Sequence, residues 1–221
     1  VDSIEKNVDL TQQLYLNDGT SMQADQVVVT TPFNIAKKIF RDSETLNNME
    51  KMNYATIATV TLAFDKKVMQ KYADALNFFV SRSSDFAITT CTWSNRKFDH
   101  VAPEGHELLR VYIGRVGDES IVELSDNEIE KIVLQDLKKA IGLQERPSLM
   151  VVARWKESMP QYTIGHAERM ETMKDQLYQE FPNVHLTGSS YEGISIPDCV
   201  TQGKATAEEI IQQLLQEKLA I

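Results

Sequence analysis

The chain has 221 residues, 42% of them apolar and 25% charged, with only 9 Gly and 6 Pro. Those proportions suit a folded globular chain and exclude the collagenous, low-complexity and disordered classes. The net charge of −9 speaks against a non-specific nucleic-acid binder, because no excess of cations draws phosphates over the surface.

The chain opens at Val1, without Met, on a segment patterned like the interior of a domain. Val1 and Ile4 flank polar residues, Leu14 and Leu16 follow, then Asp18-Gly19 supplies a hairpin-turn signal and Val27, Val28 and Val29 the strand after it. The expectation is strand, turn, strand, in a piece of a longer protein. The valine run predicts burial on both faces and is stopped by Pro32. A helix is expected from Asn34 to Phe40. Thr56–Phe64 is β-branched and reads as a strand. Asn77–Ser81, Phe86–Trp93 and Glu107–Gly114 follow with the spacing of an antiparallel meander, and Ser94–His106 is the loop between the last two.

Ser125–Ile141 is the clearest helix. Ser125 and Glu128 form a capping box, Ile129, Ile132, Val133, Leu137, Ala140 and Ile141 make one apolar face, and Gly142 ends it. Ser148–Trp155 is a strand. His166–Phe181 carries Met170, Met173, Leu177 and Phe181 at helical spacing. Val184–Gly188 is a short strand. The last helix begins near Pro197 and presents Val200, Ala207, Ile210, Ile211, Leu214 and Leu215, with Gly203 expected to let it approach a sheet closely. A meander with one packed helix, bracketed by two pieces of α/β character, predicts a mixed α/β fold with an inserted middle domain.

Chemistry is sparse. The two cysteines, Cys91 and Cys199, form no C-x-x-C, which suits a reducing compartment such as the cytoplasm. The longest apolar stretch, Tyr54–Phe64, is too short to span a bilayer, so no transmembrane segment is expected. No G-x-G-x-x-G or P-loop occurs. His100, His106, His166 and His185 show no metal spacing, and Ser189-Ser190 fits no nucleophile elbow. No catalytic side chain and no metal ligand are therefore assigned. The run Leu186–Gly203 reads as a strand, a glycine-punctuated loop and a helix whose free N-terminal amides face an electron-rich atom. An ordinary strand–loop–helix unit has the same pattern.

That run resembles the C-terminal flavin-contacting segment of the protoporphyrinogen/coproporphyrinogen oxidases, in the monoamine-oxidase-like flavoprotein group. Ala153-Arg-Trp-Lys-Glu-Ser-Met-Pro-Gln-Tyr-Thr-Ile-Gly-His166 is similar to the family stretch R-W-x-x-x-M-P-Q-Y-x-x-G-H. Thr90–Ser94 and Ala102–Gly114 resemble its substrate-domain strands, and Asp25–Pro32 its strand ending in T-x-P. Style points to the Gram-positive coproporphyrinogen III oxidases. The resemblance implies a mixed-sheet substrate-binding domain (37–150) inserted between two fragments of a Rossmann-like FAD-binding domain (1–36 and 151–221). FAD is the implied cofactor, held by Val1, Trp155, Ile194, Ser195, Ile196 and Asp198. A porphyrinogen is the implied substrate, lined by Asn77, Phe78 and Val80, with Arg82, Arg96 and Lys97 as candidate propionate partners. Asn77 stands where the family has glycine.

The implied reaction is a six-electron oxidation with dioxygen as acceptor. Peripheral membrane contact through the part of the family pattern outside this chain, and a homodimer through a bared sheet edge, complete the expected partners. Another flavin-dependent oxidase or desaturase, acting on amines or carotenoids, and a non-catalytic binding module remain open.

Overall fold

A computed structural model describes residues 1–219. In chain order the strands are β1 (Ser3–Lys6), β2 (Gln12–Tyr15), β3 (Ser21–Ala24), β4 (Val27–Val29), β5 (Tyr54–Asp65), β6 (Asn77–Phe79), β7 (Ile88–Trp93), β8 (His106–Ile113), β9 (Leu149–Pro160) and β10 (Val184–Leu186). The helices are α1 (Phe33–Ile39), α2 (Glu44–Asn48), α3 (Ser94–Lys97), α4 (Asp126–Ile141), α5 (His166–Glu180) and α6 (Ile196–Leu219). The fold is mixed α/β. Two compact units are present: Val1–Asn53 with the chain from Pro160 on, and Tyr54–Met159. These boundaries lie later than 36/37 and 150/151, because α2 packs on α5 in the first unit and β9 joins the sheet of the second.

In the first unit β1, β2 and β3 form an antiparallel sheet. Asp18 drives the β2–β3 turn, its Oδ1 accepting from Thr20 N at 3.0 Å and Thr20 Oγ1 at 2.6 Å. Strand β3 carries no sequence signal, since Ser21, Met22 and Gln23 are all exposed. β4 pairs in parallel with β10, Val27 opposite Val184 and Val29 opposite Leu186. Val28 is 45% exposed, so the all-valine strand is buried on one face only. Phe33, Ala36, Phe40, Met170, Met173, Leu177 and Phe181 are buried, with Phe40 edge-on to Phe181. Glu180, at the end of α5, braces the start of α2. Its carboxylate accepts from Ser43 Oγ (2.7 Å) and from the amides of Glu44 (3.0 Å) and Thr45 (3.3 Å).

The second unit is a five-stranded sheet in the order β6-β7-β8-β5-β9. The expected meander is its β6-β7-β8 part, antiparallel throughout, and β8 pairs antiparallel with β5. Helix α4 covers one face. It begins with the expected capping box, Ser125 Oγ accepting from Glu128 N while Glu128 Oε2 accepts from Ser125 N, and ends at left-handed Gly142. Ile129, Val133 and Leu137 pack with Val60, Leu62, Cys91, Leu109 and Val111. Ala140, expected on that face, is exposed, and Asp136 is buried in its stead. The reason is backbone need: Asp136 Oδ2 accepts from the amides of Ala87 (2.8 Å) and Ile88 (3.0 Å) where β7 begins. Burial in this core pushes the Cys91 thiol up to about 12, so it stays protonated and inert. The expected 94–106 loop contains α3, a single helical turn.

Candidate functional site

Ligands of open α/β sheets gather beyond the carboxyl ends of parallel strands. In the first unit β4 and β10 end side by side, Thr187 N donating to Val29 O at 3.1 Å. Just there, Thr31 Oγ1 and Thr187 Oγ1 are buried without a hydrogen-bond partner among the described residues. Unpaired buried hydroxyls are costly, so they mark a place where a bound group can complete the network.

The loop that follows β10 is held by two aromatic side chains from the Met159–His166 stretch. Tyr162 OH donates to Ser189 O at 2.7 Å and accepts from Gly193 N at 2.9 Å. His166 Nε2 donates to Tyr191 O at 2.7 Å. The two rings stack, centroids 3.8 Å apart and 9° from parallel. Alternate loop residues 189, 191 and 193 are thereby pinned to one stacked pair. These rings line an open cleft of about 760 Å³, whose rim carries Glu171, Asp175 and the Lys174–Glu192 ion pair.

Gly193 has φ +135°, and a Cβ there would lie 2.7 Å from Asp198 Cβ. The close approach lets Asp198 close the start of α6. Asp198 Oδ2 accepts from Ser195 N (3.1 Å) and Ser195 Oγ (2.5 Å), and Ser195 Oγ accepts from Asp198 N (3.2 Å). Pro197 has no N–H to satisfy, and the amides of Ile194 and Ile196 have no partner among the described residues. Ile194 and Ile196 are also exposed, at 51% and 81%. Two free amides flanked by bare aliphatic side chains suit the polar edge and flat face of a heteroaromatic ring. An acidic cap and no glycine-rich turn do not suit a pyrophosphate.

The sequence-expected residues fall as follows. Ser195, Ile196 and Asp198 come together at the start of α6, next to Ile194. Val1 precedes β1 and is half exposed. Trp155 lies on β9 of the second unit, exposed, with Nε1 donating to Thr59 Oγ1 at 3.3 Å. Asn77 is exposed, whereas Phe78 and Val80 pack against the core of the second unit. Gly203 makes no close approach to a sheet, having nothing within 4 Å of its Cβ position. Gln202 does the joining, its Oε1 accepting from Gly188 N at 2.9 Å and its Nε2 donating to Gly193 O at 3.3 Å. The candidate cations are partly spent. Arg96 pairs with Glu107 at 2.5 Å and also donates to the carbonyls of Tyr72, Ala73 and Ala75. Arg82 donates to Val116 O, and Lys97 lies over Phe98. Sequence reasoning assigned no role to Tyr162 and His166. Their signal was the i, i+4 pair inside M-P-Q-Y-x-x-G-H.

The family described as flavin-containing amine oxidoreductases matches residues 1–211. The chain belongs to this family. Flavin is accordingly its cofactor. Among its relatives is the coproporphyrinogen III oxidase of Bacillus subtilis, 44% identical over 201 residues that make up 91% of this chain and 43% of that protein. A crystal structure from Exiguobacterium, provisionally named a protoporphyrinogen oxidase, superposes with TM-score 0.81 at 30% identity, covering 96% of this chain and 46% of that one. An engineered putrescine oxidase superposes with TM-score 0.75 at 14% identity, over 96% of this chain and 48% of that one, a likeness of fold alone. The chain thus spans less than half the length of the relatives it matches. Among the described residues no helix is long and apolar enough to cross a membrane.

Proposed function

We propose that this chain is the C-terminal part of an FAD-dependent oxidase of haem biosynthesis that converts coproporphyrinogen III, or protoporphyrinogen IX, to the porphyrin. The carrying observation is the 44% identity to the Bacillus subtilis coproporphyrinogen III oxidase across 91% of the chain. In this reading the first unit is part of a Rossmann-like FAD domain and the second is the substrate domain inserted in it. The enzyme works in the cytoplasm, where both cysteines stay free.

Each porphyrinogen loses six hydrogens in three two-electron rounds, and three dioxygen molecules leave as hydrogen peroxide. Bound FAD supplies the oxidising capacity for each round. The chain supplies placement. Ile194 and Ile196 offer two amides and an aliphatic wall to the ring, and Ser195 and Asp198 fix the geometry of that helix terminus through their mutual hydrogen bonds. Val1 belongs to the same cofactor set, and Asn77 to the substrate side. Tyr162 and His166 hold the loop rigid, so little ordering entropy is left to lose on binding. No side chain is assigned as a general base.

The test is to express the whole oxidase containing this chain and supply coproporphyrinogen III in air. Coproporphyrin fluorescence with matching peroxide is expected. Turnover of a primary amine without porphyrin formation would move the protein to the amine-oxidising branch, and a purified protein without flavin absorbance would make it a binding module.

A further inference from the structure

The register of the second unit sorts its side chains into rows, because residues directly opposite in antiparallel strands share a face. One row is Phe78, Cys91, Val111 and Val60, and it lies in the core under α4. The neighbouring rows lie on the other face. Asn77, Thr92, Arg110 and Thr61 form one, and Phe79, Thr90, Tyr112 and Thr59 form the next. Trp155 extends the second row through its hydrogen bond to Thr59. Phe79 is 76% exposed. Neither row contains an acid.

Of the eight arginines, Arg110 and Arg146 donate to no carboxylate or carbonyl among the described residues, and of these two only Arg110 lies in the sheet. It sits in β8, the central strand, between Thr92 and Thr61. Arg41, Arg82, Arg96, Arg115, Arg154 and Arg169 all donate to a carboxylate or a carbonyl. Arg110 has no such partner among the described residues, and its side chain is exposed. A guanidinium presents a planar fork of donors matched to a carboxylate. Set beside exposed aromatic rings in an acid-free patch on a chain of net charge −9, it favours an anionic ligand carrying aromatic rings and opposes a cationic one.

We propose that Arg110 anchors a propionate carboxylate of the substrate, with the pyrrole rings laid along the Phe79–Tyr112 row. The assignment rests on the porphyrinogen reading above. It replaces Arg96, whose guanidinium already serves Glu107 and three backbone carbonyls, and it shifts the aromatic contact from Phe78 to Phe79.

The test is steady-state oxidation of coproporphyrinogen III by the whole oxidase as wild type, R110Q and R110K, at two ionic strengths. A charge-assisted hydrogen bond of this kind is worth about tenfold to a hundredfold in affinity. R110Q should therefore raise KM by about that factor while kcat stays within about twofold. R110K should lie between, keeping the charge but not the fork. Added salt should raise the wild-type KM more steeply than that of R110Q, a response that a purely structural arginine would not produce. Should R110Q fail to fold, R110K carries the same comparison. Wild-type turnover with an unchanged KM and salt slope in the variant would overturn the anchor alone. A wild type that makes no porphyrin would overturn the porphyrinogen reading and the anchor with it.

Discussion

The Gly193 amide donates to the Tyr162 hydroxyl at 2.9 Å, which ties the loop after β10 to a side chain thirty-one residues earlier. The same oxygen donates to Ser189 O, so one phenol holds both ends of the turn. Tyr162→Phe keeps the stack on His166 and removes both of these bonds. It should lower stability by about 1–2 kcal/mol and speed hydrogen exchange at Gly193 more than at α5 amides. Gly193→Ala should be worse, because Asp198 occupies the space of the new Cβ at a positive φ. Unchanged exchange at Gly193 in Tyr162→Phe would show that the phenol does not hold the loop.

Asp136 is a buried acid on the face of α4 where an apolar residue is the usual choice. Removing it leaves the amides of Ala87 and Ile88 without their acceptor. Asp136→Ala should cost about 2–4 kcal/mol, counting two amides left unpaired, one of them buried. Leu137→Ala, a truncation in the same core, should cost about 2–5 kcal/mol. Urea unfolding of both variants checks the assignment; a near-neutral Asp136→Ala would mean that water reaches those amides.

Glu180 gives the first unit an acid-sensitive joint. Burial alone would raise its carboxyl, but hydrogen bonds from Ser43 and from the backbone at Glu44 and Thr45 outweigh it and hold the group below its ordinary 4.5. A depressed folded-state value means that the stabilisation is fully present above about pH 4.5 and is lost as pH falls through the folded value. Glu180→Gln should be less stable than wild type by about 1–2 kcal/mol at pH 7. The two should converge at low pH, where the wild-type carboxyl is also neutral. A gap that persists at low pH would assign the loss to shape and not to charge.

Titrating the purified 221-residue chain with FAD should show no binding at micromolar concentration. The chain contains no glycine-rich turn to receive a pyrophosphate, and its α6 terminus is closed by an acid. A few ring contacts do not offset the entropy of fixing a large flexible cofactor. Quenching of flavin fluorescence at micromolar chain would place the affinity in the Thr187–Asp198 segment after all.

What the sequence by itself determined is local or motif-borne. The Ser125–Gly142 helix was legible with both caps, as was the Asp18-Gly19 turn, because the groups that make them lie within a few residues of one another. The family was legible because M-P-Q-Y-x-x-G-H and the Gly188–Gly203 run are specific strings. Tertiary structure alone decided which faces are buried and which charges are free. Phe78 and Phe79 are neighbours of one type, and only the pairing of β6 with β7 sends the first to the core and the second outward. Arg96 and Arg110 look alike in the sequence, yet Glu107 and three carbonyls consume one and leave the other bare. Asp136, Glu180 and Tyr162 owe their roles to backbone groups 27 to 136 residues away. The physical reason is that propensity and capping act over one turn of chain, whereas burial and hydrogen-bond satisfaction depend on whichever distant segment the fold brings opposite.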